Sequence, residues 1–213
     1  MKLSKNLKYI LITSSISLLF VLACGGGGSS ETVSDTPATT PTPAKTPAPA
    51  KTTPTPAATP TIPVTTLDSY GFKLILDGTL EIEEAGLTEQ NASINEGVIF
   101  FEYDGANSIL IWLKDSETKI EDFLSDTYSS LSDSQTGSTF SLINEGESEF
   151  GTVKYKYIAF VTKSESDETQ AGGIIGAWRC GTDKVFSLTA TGEDGAVVQI
   201  RFKRILDGLS CSQ

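Results

Sequence analysis

The chain of 213 residues contains no histidine. That removes the commonest general base near neutral pH and the commonest metal ligand. A serine nucleophile needs an adjacent base, so a serine–histidine hydrolase is excluded, and no motif names a serine–lysine pair. There are only three cysteines, Cys24, Cys180 and Cys211, with no C-x-x-C spacing. Neither a zinc ribbon nor a dithiol redox motif can be built from them. All nine prolines fall between Pro37 and Pro63, so none interrupts the last 150 residues. Basic residues are scarce, 16 against 27 acidic ones. Such a balance disfavours nucleic acid and anionic lipid headgroups, which recruit Lys/Arg clusters.

What is present begins with an acid-free leader. Lys2, Lys5 and Lys8 precede a mostly apolar run from Tyr9 to Ala23. A basic start, a short greasy middle and a small residue before the cut make a secretory signal peptide of residues 1–23. The run is interrupted by Thr13, Ser14, Ser15 and Ser17, and falls short of the roughly 18–20 apolar residues that span a bilayer. "VLAC", Val21 to Cys24, resembles the bacterial lipobox, although Leu22 is not its favoured second residue. The resemblance implies that Cys24 takes a diacylglycerol thioether and becomes the mature N-terminus. Two or three acyl chains hold firmly where one binds only marginally. From Cys24 onward the chain has 13 basic and 27 acidic residues, a net charge of −14.

Residues 24–66 form a different polymer: four glycines at 25–28, then a Thr/Pro/Ala-rich stretch without aromatics. It cannot bury enough apolar surface to fold and is expected to be a disordered linker biased towards polyproline II. With a rise of about 3.1 Å per residue, Glu31 to Thr66 reaches roughly 110 Å when fully extended. "GGIIGAW", Gly172 to Trp178, follows no strand and opens no helix, so neither glycine-rich stretch is a nucleotide site.

Residues 67–213 make one α+β domain. "GFKLIL", Gly71 to Leu76, alternates as a strand, and "LEIEEAG" after Asp77–Gly78 is expected to be its short partner. Val98–Tyr103 and Ile109–Leu113 form a hairpin about the loop "DGANS". In "DSETKIEDFLSDTYSSLSD", Thr118 and Glu121 have capping-box spacing, and Ile120, Phe123, Leu124, Tyr128 and Leu131 share a helical face. "FSLINEGESEFG" with "VKYKYIAFVTK", and "GGIIGAWRC" with "KVFSLTATG", are two more hairpins. The last segment fits a strand through Val198, Ile200 and Phe202. It fits a helix through Val198, Phe202, Ile205, Leu206 and Leu209; Asp194 as N-cap and Gly208 near the end favour the helix. Once Cys24 carries lipid, Cys180 and Cys211 are expected to form a disulfide joining that helix end to a strand. An antiparallel sheet covered by helices follows.

This order, from "GFKLIL" to "VFSLTATG…IRFKRILDGLSC", resembles the PsbP/Mog1-like superfamily over about Gly71 to Leu209. The resemblance implies an α/β/α sandwich on a six- or seven-stranded antiparallel sheet. The usual opening continues with Pro and then Trp; here Asp77 and Leu80 stand near those places. Known members are mostly accessory or binding proteins, so no enzyme is implied. The metal-binding histidines of photosynthetic members have no counterpart, and neither metal nor cofactor is expected.

Candidate sites are few. Glu145, Glu147 and Glu149, or Glu81, Glu83 and Glu84, are the only acid groupings offering a hydrolase pair or a weak Ca²⁺ site, though no Asp-rich loop of calcium-binding spacing exists. The first trio alternates along a strand and is expected to face solvent. Trp112, Trp178, Tyr103, Tyr155 and Tyr157 either line a binding face or pack between sheet and helices, the packed arrangement being favoured. Arg179 is expected at an edge. The functional expectation is an exported lipoprotein. It would sit at the extracytoplasmic face of a cell or outer membrane as an accessory module for an envelope protein or small ligand, without nucleic acid. The alternatives are an extracytoplasmic hydrolase with a carboxylate site, or an envelope spacer.

Overall fold

The structure, a computed structural model, describes residues 62–166 and 170–211. The leader, Cys24 and the linker as far as residue 61 lie outside the described residues.

Strand β1 (Val64–Ser69) turns through Tyr70–Gly71 into β2 (Phe72–Asp77). Both turn residues have positive φ, 57° and 78°, the pairing that matches strand twist in a two-residue hairpin. β2 has β1 on one side and the C-terminal strand β10 (Leu209–Cys211) on the other, a three-stranded sheet in the order β1-β2-β10. With both flanks of β2 filled, "LEIEEAG" cannot be its partner. Its strand β3 (Glu83–Ala85) pairs instead with β4 (Glu96–Tyr103), at Glu83↔Phe100 to Ala85↔Val98.

β4 and β5 (Ala106–Lys114) form the hairpin read from sequence, but more tightly. The loop is the two-residue turn Asp104–Gly105, both at positive φ, and Ala106–Ser108 belong to the strand. β6 (Ser138–Phe150), β7 (Val153–Ser164), β8 (Gln170–Cys180) and β9 (Lys184–Gly192) complete a seven-stranded sheet, β3-β4-β5-β9-β8-β7-β6, every pair antiparallel.

Helix α1 (Ile120–Ser134) covers one face, burying Phe123 and Leu124 among Ile111, Phe160, Ile175 and Val185. Thr118 is not its cap. The N-cap is Lys119, with no side-chain bond, because Thr118 donates its hydroxyl to Asp115, whose carboxylate also accepts the Glu117 and Thr118 amides. Arg179 pins the same loop by donating to the carbonyls of Asp115 (2.7 Å) and Thr118.

The other face carries helix α2 (Gly195–Gly208), which resolves the ambiguous last segment. Asp194 caps it, accepting the amides of Ala196 (2.8 Å) and Val197 (3.2 Å). Asp194→Ala should cost about 1 kcal/mol, read as a lower urea midpoint at unchanged slope. α2 does not cover this face alone. The small sheet shares the work, placing Phe72, Leu74 and Leu76 in one core with Trp112, Trp178, Phe186, Phe202 and Ile205. The domain is therefore a mostly antiparallel α+β fold with helices covering the sheet only in part. Cys180 on β8 and Cys211 on β10 meet at disulfide distance, Cα atoms 5.6 Å apart.

Candidate functional site

β6 and β7 are the longest strands of the large sheet, 13 and 12 residues. Along β7, alternate residues go to opposite faces. Lys156, Ile158 and Phe160 take the α1 side: Lys156 pairs with Glu121 of α1 (2.9 Å), and Phe160 packs edge-on against Tyr128. Tyr155, Tyr157, Ala159 and Val161 take the α2 side. There they line an open cleft of about 900 Å³, bounded by β6 and β8 on the sheet and by α2 opposite.

The cleft has an aromatic floor. Tyr155 stands 6.1 Å from Tyr157 and 6.0 Å from Phe202 by ring centroids. Tyr157 lies over Gly146 of β6, where any Cβ would meet its ring at 3.0–3.2 Å. The Tyr157 hydroxyl accepts a hydrogen bond from Asn144 Nδ2 at 3.2 Å. Two apolar side chains stand at the rim with little cover: Ile143 is 62% exposed and Ile200 is 55% exposed. Ile143 sits where the β6 register slips between Leu142 and Asn144. A bulge of this kind re-aims a side chain.

The remaining candidates are structural. Trp112 and Trp178 are fully buried and Tyr103 nearly so. Trp178 stacks on Phe186 at 5.6 Å, and its indole N–H has no hydrogen-bond partner among the described residues. Tyr103 donates to Asp77, which also accepts from Arg204 at 3.0 Å, while Arg201 lies over the Tyr103 ring and pairs with Asp104. The Tyr103 bond, helped by Arg204, holds the Asp77 carboxyl below the usual carboxylate range. A lowered folded pKa stabilises above the unfolded value near 3.9 and is lost as pH falls through the folded one. Asp77→Asn should therefore shrink the stability gap to the unaltered protein below about pH 4, read from urea midpoints at stepped pH.

Glu145, Glu147 and Glu149 lie exposed on the α1 face of β6, Glu147 paired with Lys156 at 2.7 Å. Glu81, Glu83 and Glu84 are exposed as well, and Glu84 accepts from the Tyr70 hydroxyl. Neither trio comes together as a donor set: among the described residues no three His, Cys, Asp or Glu side chains are grouped to hold a metal. No carboxylate among them is buried. Lys184 is the one buried charge among the described residues, only 9% exposed; burial lowers its pKa, and it donates to the Tyr70 carbonyl at 2.6 Å. It braces the strained Tyr70–Gly71 turn. Among the described residues no helix is long and apolar enough to cross a membrane.

No protein-family model matches this chain, and no curated protein does. A solved structure does. The solution structure of cyanobacterial PsbP (CyanoP) from Synechocystis sp. PCC 6803 superposes at a TM-score of 0.53 and 12% identity, over 74% of this chain and 97% of that one. The domain has a PsbP-like fold. A crystal structure of PA94, of unknown function, from Pseudomonas aeruginosa reaches a TM-score of 0.36 at 9% identity, over 68% of this chain and 94% of that one, too low for argument.

In this PsbP-like domain the sequence signal for the cleft is divided. Tyr155 and Tyr157 stand out in "VKYKY", but the opposite wall carries no comparable pattern. Ile200, like Val197, falls outside the helical pattern of α2, and its full misfit to the buried face is the clue. Ile143 gives no such clue, because the bulge that exposes it depends on pairing with β7.

Proposed function

We propose that the chain is an exported lipoprotein, held through acylated Cys24 at the extracytoplasmic face of a cell or outer membrane. Its PsbP-like domain is then a non-enzymatic binding module that takes a protein partner or small ligand in the cleft between β6–β8 and α2. The observation carrying this reading is Ile143 and Ile200 left exposed on opposite sides of a tyrosine-floored cleft. Exposed apolar side chains that rim a concave aromatic surface mark binding sites more often than bare surface. A linker with a reach of roughly 110 Å would let the domain meet its partner clear of the bilayer.

Crosslinking and mass spectrometry on native membranes tests the reading with the full-length protein. One near-stoichiometric neighbour, crosslinked around residues 143–149 and 193–207, is the expected result. No neighbour above background, or crosslinks confined to the α1 face, would overturn the protein-partner form. A ligand screen by thermal shift then decides whether the cleft serves a small molecule. For the anchor, Cys24→Ala should abolish radiolabelled palmitate incorporation and move the protein from the membrane to the soluble fraction. Retention of both label and membrane would sink it.

A further inference from the structure

The cleft ends at an open strand. β6 is the last strand of the large sheet, and among the described residues nothing pairs with its outer flank. An unpaired ladder of N–H and C=O groups is a template for another strand, and peptide recognition by strand addition uses such edges.

The two faces of β6 state what that strand must look like. On the α1 face stand Glu145, Glu147 and Glu149, every second residue, opposite Ile158, Lys156 and Lys154 on the inner flank. Lys156 reaches Glu147 at 2.7 Å from the inner flank; among the described residues no strand stands on the outer side of the row. On the cleft face stand Asn144, Gly146 and Ser148, opposite Ala159, Tyr157 and Tyr155 and small or uncharged, beside the exposed Ile143. A strand laid along β6 alternates the same way. Its residues on one face would meet the glutamates, and those on the other would project over the cleft. β7 already solves this problem from inside, with Lys154 and Lys156 towards the glutamates and Tyr155 and Tyr157 towards the cleft. A second copy of β6 is the wrong occupant, since pairing the acidic halves would bring glutamates together, and like charges opposed across strands destabilise.

Resting on the cleft as the binding surface, we propose that β6 receives an extended segment of a partner protein by antiparallel strand addition. The segment is amphipathic with period two: Lys or Arg at alternate positions facing Glu145, Glu147 and Glu149, and aromatic or branched apolar residues between them entering the cleft beside Ile143 and Ile200.

The probe is a fluorescein-labelled peptide copying the strand that β6 already selects, VKYKYIAFVT (residues 153–162), and its charge-reversed twin VEYEYIAFVT. Each is titrated into the full lipidated chain in detergent, followed by anisotropy and by hydrogen exchange. The expected result is saturable binding of the lysine peptide, weakened at least about tenfold in the twin, with new protection of β6 amides. Glu147→Lys with Glu149→Lys should invert the preference, and Ile200→Asp should weaken both peptides alike. No saturation by about 1 mM, equal affinity for the twins, or protection away from β6 would each overturn the proposal. Membrane crosslinks at the cleft combined with a silent peptide would reject strand addition while leaving the binding module standing. Absence of both would reject the two together.

Discussion

Trp112→Ala should lower the unfolding free energy by about 3–5 kcal/mol, the range for emptying a large aromatic from a packed core. Trp112 is fully buried, stacked on Tyr70 at 4.9 Å and edge-on to Phe72 at 5.2 Å. It joins the small sheet to the large one. Its indole N–H also donates to the Ser93 carbonyl at 2.8 Å, so the truncation orphans an acceptor as well. The site has no slack to collapse into, because Gly97 faces Trp112 across the β4–β5 pair. A Cβ on Gly97 would come within 2.3 Å of the ring, so Gly97→Ala alone should destabilise by about 1–3 kcal/mol through overpacking. In the double variant the alanine methyl enters the space the indole vacates, and the combined loss should fall short of the sum of the single losses. Urea unfolding followed by far-UV circular dichroism gives all three values. Strict additivity would show that the two residues do not share one packing site. A loss below about 1.5 kcal/mol for Trp112→Ala would show that the two sheets are held together elsewhere.

Cys180→Ser with Cys211→Ser should cost about 3–4 kcal/mol, since the bridge closes a loop spanning 31 residues and shortens the unfolded chain's conformational list accordingly. Against a typical domain stability of about 5–15 kcal/mol that is a large share. The effect has a location. Cys211 lies on β10, a three-residue strand that pairs with β2 at Leu74↔Leu209, Lys73↔Ser210 and Phe72↔Cys211. Without the sulfur link so short a strand should fray, and hydrogen exchange at Phe72–Leu74 should quicken more than in β8. Reducing the unaltered protein should reproduce the drop in urea midpoint, and the double variant should not respond to reductant. Equal midpoints for oxidised and reduced protein would mean that β10 is held by its ladder and by Leu209 alone.

Pattern and structure part company where pairing is non-local. The β4–β5, β6–β7 and β8–β9 hairpins join neighbours across short turns, so alternation and turn residues sufficed. β1 was hidden because "VTTLDS" reads as more of the Thr-rich stretch before it, and its only signature is the match to β2. β10 is three residues beyond a helix, too short to carry a period. Sequence proximity puts β3 beside β2, and cannot reveal that β10 already holds that flank. The cleft follows the same division. Tyr155 and Tyr157 were visible as alternating aromatics, whereas the α2 wall and the bulge at Ile143 exist only after β6, β7 and α2 have assembled.

The three-stranded sheet also sets a timetable. β2 is flanked by the first described strand and by the last, Leu74 pairing with Leu209 across 135 intervening steps of chain. Helix α2, which fills the same core, comes just as late. During synthesis, the core around Phe72, Leu74 and Leu76 therefore stays incomplete until nearly the whole domain has emerged, and such distant pairings are the slow ones to form. A nascent chain of this topology cannot complete its small sheet before the last described strand arrives.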